Sequence, residues 1–339
     1  MLNNSPMSNG YVPDMTEASP RLSAGQVRLL TKVARMYHER GLRQPEIATS
    51  LHISQPRVSR LLKRAVELGI VRTIVISPRG VYADLEEAVE RRYGVSEVVV
   101  ADTGDETDEQ RILPALASAA AVYLETTLTG GERVGISSWS STLLAAVEAM
   151  QPRPVRATDE VVQVLGGMGV VTAQATATRL TGRLAQVTGG NAVYLPAPGL
   201  VASSLTRDGL VADQAIADVL RAWRHLTLLL AGIGSLEPSP LLRQSGNAIA
   251  ETEMGHLRRL GAVGDVCLRF FDEHGAHITT PFEDRLVGIG ADVLRRVPRR
   301  VGVAGGERKY NAIRAALLGG WVNVLITDHR VAERLAAEG

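Results

Sequence analysis

The stretch from Leu42 to Val71, LRQPEIATSLHISQPRVSRLLKRAVELGIV, decides how the N-terminal part of the chain is read. It has the pattern of a helix-turn-helix. Gln44 to Leu51 can form a short first helix with Ile47, Ala48 and Leu51 on its inner face, and the small Ala48 lets a second helix cross closely. His52 and Ile53 make the turn, and Ser54 is a natural N-cap. Pro56 then falls in the first turn of the next helix, where its missing N–H does no harm. Val58, Leu61, Leu62 and Ala65 recur at helical spacing and point inward, while Arg57, Ser59, Arg60, Lys63 and Arg64 point away. Such a helix suits the major groove of DNA, although a solvated basic surface has the same pattern.

The flanks favour the DNA reading. An amphipathic helix is expected from Gln26 to Arg40, with Val27, Leu30, Val33, Ala34 and Tyr37 on one stripe. A β-prone run, Val71 to Ile76, is expected to form a wing-like strand. Charge is concentrated here as well. Arg21 to Arg79 holds 12 Lys/Arg against 3 Asp/Glu, so of the chain's 37 and 36 the rest carries 25 against 33. The formal net charge of +1 thus conceals a head of +9 and a remainder of −8, as expected when only the head must meet phosphate. Arg57, Ser59 and Arg60 are the candidates for base-edge contact. Gln55, Lys63 and Arg64 are read as backbone contacts, with adenine a second option for Gln55, and Gln44 and Ser54 complete the candidate surface.

At 339 residues the chain can hold this head plus a sizeable α/β body. Aromatics are only 4%, so the core must be built from Ala, Val, Leu and Ile, and a base-stacking surface for single strands is not expected. The single Cys267 excludes an intramolecular disulfide and fits a reducing cytoplasm. Residues 1 to 20 lack the pattern of a signal peptide and read as a disordered leader rich in Asn, Ser, Pro and Gly. No apolar run approaches the roughly 20 residues of a membrane helix. A soluble cytoplasmic protein with no membrane partner is expected.

Ser77-Pro78-Arg79-Gly80 reads as a turn at a domain boundary. Beyond it, helices are expected at Asp84 to Tyr93, Arg111 to Thr127, Thr142 to Met150, Ala173 to Thr188, Asp213 to His225, Lys309 to Leu318 and from His329. Strands are expected at Glu97 to Ala101, Arg133 to Ile136, Val161 to Leu165, Ala192 to Leu195, Leu226 to Ala231, Gly264 to Phe271, Arg300 to Val303 and Val322 to Thr327, with another candidate at Arg285 to Ile289. This alternation signals an α/β fold with a parallel sheet, in which ligands sit at the C-terminal ends of strands.

Four glycine- or hydroxyl-rich turns follow these strands. In the first, Ser138, Ser140, Ser141 and Thr142 lie where a strand hands over to a helix, so hydroxyls and N–H groups could converge on one phosphate. The second is Gly166-Gly167-Met168-Gly169 and the third Gly232-Ile233-Gly234-Ser235. In the fourth, Gly305 and Gly306 let the backbone approach a ligand and Lys309 supplies a positive charge. Each alone is better explained by a tight turn; together they point to a shared anion or sugar site. Neither a GxxxxGK[ST] loop nor dinucleotide spacing occurs, so no ATP, NAD or other cofactor is expected. Asp265 reads either as a turn carboxylate at the start of a strand or as an acceptor for sugar hydroxyls. Gln174, with Thr176 and Thr178, could reach the same pocket or be solvated. The 7 histidines show no metal-ligand spacing, and no nucleophile elbow occurs, so no metal or catalytic residue is assigned.

Taken together, these residues resemble the SorC-type, DeoR-like sugar-binding transcriptional regulators of bacteria. The resemblance covers about Leu22 to Leu335. It rests on QPEIATSLHISQPRVSRLLKRAVELGIV, GISSWSST, LPAP, AGIGS, GAVGDVCLRFFD and VAGGERKYNAIRAALLGGWVNVLITD, in that order. It implies a winged helix-turn-helix over residues 21–79 and an effector and oligomerisation domain over 80–339, similar to phosphopentose isomerases and glucosamine-phosphate deaminases. It also implies dimers or tetramers that bind operator double-stranded DNA and respond to a phosphorylated sugar. On that resemblance Ser141 and Thr142 match the hydroxyl pair that holds the effector phosphate. Lys309 matches the lysine after AGG, Asp265 the acidic residue on the sugar, and Gly166 and Gly167 the paired pocket glycines. Where some members carry Arg or Lys before that glycine pair, this chain has Leu165, so a monophosphate held without a Schiff base is expected. The expected function is a repressor of a carbohydrate or polyol catabolic operon, not an enzyme. The alternative is a sugar-phosphate isomerase- or deaminase-like enzyme fused to a DNA-binding head.

Overall fold

The computed structural model describes residues 23–71, 80–137, 140–152, 155–167, 171–237 and 249–338, with side chains from 178 onward in the helix that starts at Val171. The chain divides into two units, Met1–Ile76 and Ser77–Gly339.

In the head, α1 (Ala24–His38), α2 (Gln44–Leu51) and α3 (Gln55–Glu67) form the helix-turn-helix. A capping box starts α1: the Ser23 N–H donates to Gln26 Oε1 at 2.9 Å, and Ser23 Oγ accepts from the Gln26 N–H at 3.3 Å. Its buried stripe is Leu30, Val33, Ala34 and Met36, whereas Val27 and Tyr37 are exposed. The expected stripe is therefore rotated, because Val33 and Met36 pack with Ile47, Ala48, Val58 and Leu62 from the other two helices. His52 turns the chain in the left-handed region, at φ 50° and ψ 44°. Ser54 occupies the N-cap position of α3 but makes no capping hydrogen bond, which leaves the start of that helix to Pro56. The leader and the wing-like run after Val71, with the boundary turn Ser77 to Arg79, lie outside the described residues.

The body is built on a seven-stranded sheet. Its strands in chain order are β1 (Glu97–Ala101), β2 (Glu132–Ile136), β3 (Thr158–Gln163), β4 (Asn191–Val193), β5 (Leu228–Gly232), and then, after a short hairpin region, β9 (Arg299–Val303) and β10 (Val324–Asp328). They lie side by side as β1-β10-β9-β5-β2-β3-β4, every pair parallel. Leu228 and Leu230 of β5 pack on one face with Leu124, Leu143 and Leu184 from α5 (Glu109–Thr127), α6 (Ser141–Ala149) and α7 (Val171–Thr188). Leu229 and Ala231 pack on the other with Trp223, Ile313 and Trp321. Burial on both faces is why these strands read as unbroken apolar runs. At the β1 edge, α4 (Ala83–Tyr93) turns two glutamates onto the strand: Glu90 accepts from the Val98 N–H at 2.8 Å and Glu86 from the Val100 N–H at 2.9 Å.

Two strand expectations fail, and three helices go beyond the sequence reading. The run Gly264 to Phe271 is not one strand but an antiparallel hairpin, β7 (Ala262–Val266) and β8 (Arg269–Asp272), and β7 also pairs with the short β6 (Gly234–Ser235). Its turn residues, Cys267 and Leu268, hold φ 55° and 61°, a left-handed pair that nothing in an apolar run announces. Arg285 to Ile289 is not a strand; after a turn of 3-10 helix it makes only isolated bridges, such as Leu286 to Leu200 and Gly288 to Leu165. Helices α8 (Ser204–Ala212), α9 (Gln214–Ala222), α10 (Glu251–Arg259) and α11 (Ala291–Arg296) include three that were not anticipated, α8, α10 and α11. After β9 and β10, α12 (Tyr310–Leu318) and α13 (His329–Ala337) follow the expected pattern.

Strand order fixes where a ligand can sit. From β2 the chain runs outward to β3 and β4, then returns to the opposite side of β2 with β5 and continues to β9 and β10. The direction of winding reverses between β2 and β5, and the crevice beyond their C-terminal ends is the natural ligand position.

Candidate functional site

A cavity occupies that crevice. Its wall takes Ser137, Ser140, Ser141 and Thr142 after β2, Leu165 after β3, Gly232 to Ser235 and Glu237 at and after the end of β5, Asp265, Cys267 and Leu268 from the hairpin, and Arg308 and Lys309 after β9. Ser140 caps α6, its Oγ accepting from the Leu143 N–H at 3.2 Å. The N–H groups of Ser141 and Thr142, in the first turn, have no intrahelical acceptor and carry the positive end of the helix dipole. Two glycines allow the close approach of these loops. A Cβ on Gly232 would lie 3.0 Å from Ser140 Oγ, and one on Gly234 would lie 2.0 Å from Asp265 Oδ1.

Asp265 stands near the end of β7, not at a strand start, and its Oδ2 accepts from the Leu268 N–H at 2.9 Å, which locks the left-handed turn. Burial pushes its carboxyl up to about 6, against the opposing pull of that N–H and of Lys309. Burial likewise lowers the Lys309 ammonium from the usual lysine range, although Glu109 and Asp265 oppose this. Among the described residues Lys309 Nζ has no hydrogen-bond or ion-pair partner. Its neighbour Arg308 is fully engaged: Nε and Nη2 donate to Glu109 at 2.9 and 2.7 Å, and Nη1 to Ser235 Oγ at 2.8 Å. The cavity therefore offers one helix N-terminus, the Lys309 cation, unpartnered among the described residues, and the Asp265 carboxylate, with the second lining carboxylate, Glu237, already facing Arg308 at 3.6 Å; together the first three can hold an anionic group and a hydroxyl.

Asp265 is expected to make ligand binding pH-dependent. Below about pH 6 the carboxyl is neutral, so affinity for a ligand whose hydroxyl it accepts should weaken as pH falls from about 7.5 to about 5. Calorimetric titration checks this, and Asp265→Asn isolates the carboxyl from the phosphate's own protonation near pH 6. Stability runs the other way. Between about pH 4 and 6 the folded chain keeps a proton that the unfolded chain has released, so this group's contribution to stability falls as pH rises. Cys267 is chemically quiet: burial pushes its thiol up to about 12.

Other expected site residues lie elsewhere. Gly305 and Gly306 do not line the cavity. The Gly306 N–H donates to Asp328 Oδ2 at 2.8 Å, and a Cβ on Gly305 would lie 2.6 Å from that oxygen. Gly166 and Gly167 donate their N–H groups to Val287 and Ala197 carbonyls at 2.9 and 2.8 Å. Ser138 and the side chain of Gln174 lie outside the described residues. Ser137, Glu237, Cys267, Leu268 and Arg308 line the cavity beyond the sequence candidates, while Ser235 belongs to the third glycine-rich turn read from the sequence. In the head, Gln55, Arg57, Ser59, Arg60, Lys63 and Arg64 are all exposed along α3, as is Ser54, with Gln44 half-buried. Arg64 is partly occupied by Glu67, at 2.9 Å.

Residues 80–337 match the Sugar-bind family, a sugar-binding domain, and residues 13–73 match a helix-turn-helix domain. The deoxyribonucleoside regulator of Bacillus subtilis (strain 168) is 32% identical over 310 residues, covering 91% of this chain and 97% of the relative. The sorbitol operon regulator of Klebsiella pneumoniae is 29% identical over 317 residues, covering 92% and 99%. This chain belongs to the SorC family of sugar-binding transcriptional regulators. The solved full-length SorC from Klebsiella pneumoniae shares the fold with a TM-score of 0.69 at 28% identity, over 91% of this chain and 98% of that one. As a SorC-family member the chain pairs a DNA-binding head with a sugar-binding body, and it is a transcriptional regulator. No helix among the described residues is long and apolar enough to cross a membrane.

Proposed function

We propose that this regulator represses a carbohydrate or polyol catabolic operon in the cytoplasm and that a phosphorylated sugar, bound in the crevice, releases it from operator DNA. The observation that carries the reading is Lys309, unpartnered among the described residues, in a cavity that also holds Asp265 and the α6 N-terminus. With Arg308 already paired to Glu109 and Leu165 in the wall, a single phosphate is the anionic load that fits. Release requires that the ligand bind the DNA-incompetent state more tightly, by a coupling of about 1–3 kcal/mol. A dimer or tetramer on paired half-sites completes the proposal.

The test is binding to DNA from upstream of the protein's own operon, at two salt concentrations, with and without a panel of sugar monophosphates. Selective binding released by one compound supports the reading; selective binding that none alters removes the sensor. Arg60→Ala should weaken binding to the cognate site by about 1–3 kcal/mol if Arg60 reads a base. An equal loss on scrambled DNA would make it a phosphate contact. One observation favours the enzyme alternative: Asp265 and Lys309, both shifted toward neutrality, could exchange protons with a sugar. Turnover of sugar monophosphates by the purified chain would decide for it.

A further inference from the structure

We infer that the loop carrying Lys309 is tied to the point where the chain enters the body, so that filling the cavity is relayed to Tyr82; this rests on the sugar-phosphate reading above. The loop is held by its backbone. The Gly306 N–H donates to Asp328 Oδ2 at 2.8 Å, and Gly305 approaches the same carboxylate so closely that no side chain fits. Asp328 is buried, and its other oxygen accepts from the Val331 N–H at 3.0 Å, which caps α13. A buried, charge-assisted bond of this kind is costly to break, so loop and carboxylate move together.

The next residue carries the link outward. The His329 ring stacks on Tyr82, with centroids 5.7 Å apart and planes 12° from parallel, and its Nδ1 meets Thr103 Oγ1 at 3.0 Å. Tyr82 Oη donates to Asp102 Oδ1 at 3.1 Å. Asp102 and Thr103 begin the segment that ends at Glu109, the partner of Arg308 next to Lys309. Two routes thus run from the Lys309 loop to Tyr82, one through Asp328 and His329 and one through Glu109. Tyr82 is the N-cap of α4 and the sixth residue of the unit that starts at Ser77. The stack is half-exposed, whereas the Asp328 bond is buried, so the stack is the contact that yields. In this relay the stack, made in this structure, breaks in the other state and is the two-state element that coupling requires.

The experiment measures operator affinity of the full-length chain with and without pentose, deoxypentose, hexose and hexitol monophosphates, with inorganic phosphate as control. For the wild type the ratio of the two affinities should fall at about 5–150-fold for one compound. Tyr82→Ala should bring the ratio to within about twofold of unity, with sugar-phosphate affinity in the absence of DNA unchanged within about threefold. Tyr82→Phe keeps the ring and should keep most of the ratio. Thr103→Val, which removes the His329 partner, should lower it and decides the matter if Tyr82→Ala does not fold. Wild-type ratios in both Tyr82→Ala and Thr103→Val would overturn the relay alone. A wild-type chain that no monophosphate shifts would overturn the sugar-phosphate reading and the relay with it.

Discussion

Lys309→Ala is expected to abolish the response to sugar phosphate while leaving operator affinity unchanged. A hydrogen bond to a charged group contributes about 1.5–3 kcal/mol, so losing the Lys309 contact should weaken the effector by roughly 10- to 150-fold. That is as large as the whole coupling available to release DNA. The change has a second effect. Lys309 is the cation that holds the Asp265 carboxyl down against burial, so without it that carboxyl rises further above about 6. The residual affinity of the variant should therefore fall off at a higher pH than that of the wild type. The proposed DNA surface lies on α3, in the other unit, and keeps its charge. Calorimetry with the active sugar phosphate and operator titrations on the same preparation separate the two properties. If the variant responds normally, the effector does not use this lysine and the site is misplaced.

The largest loss of stability is expected from Trp321→Ala, at about 3–5 kcal/mol. Trp321 has no solvent exposure and packs against Phe271, with ring centroids 5.2 Å apart, and edge-on to His277 at 5.5 Å. Its indole N–H donates to the Gly275 carbonyl at 2.9 Å. Truncation leaves a cavity and strips that carbonyl of its donor at once. Trp321→Phe keeps most of the volume and should lose less. Urea titration followed by circular dichroism reads the body's transition, and because the head is a separate unit its own transition should not move. A loss below about 1 kcal/mol would mean that the surroundings collapse into the gap.

Much of this molecule could be read in its residues, and the limits have physical causes. The helix-turn-helix was legible because its periodicity and charge agree. The parallel sheet was legible because strands buried on both faces leave apolar runs bracketed by glycine and serine. The hairpin at Cys267-Leu268 was not, since its left-handed turn uses two apolar residues in place of Asn-Gly and is enforced by Asp265. Helix α8 has no buried residue, so it offered no periodic stripe to find. Ser140, Ser141, Thr142 and Lys309 meet at one cavity because strand ends in such a sheet share an edge, and Asp265 joins them from the antiparallel hairpin. Gly305 and Gly306 could not be placed from sequence: whether a glycine makes room for a ligand or for Asp328 depends on a residue over twenty positions away.

The glutamates of α4 have a consequence beyond their two hydrogen bonds. A bare outer strand is a template on which any extended peptide, including a partly unfolded copy of the same chain, can lay down another strand. At β1 the outward N–H groups of Val98 and Val100 are already claimed by carboxylates from the molecule's own helix. An incoming strand would have to displace both acceptors and crowd its own carbonyls against two negative charges. For a protein that must stay dispersed while it searches a genome, that flank is closed to sheet-by-sheet growth, and any self-association there must proceed through side chains.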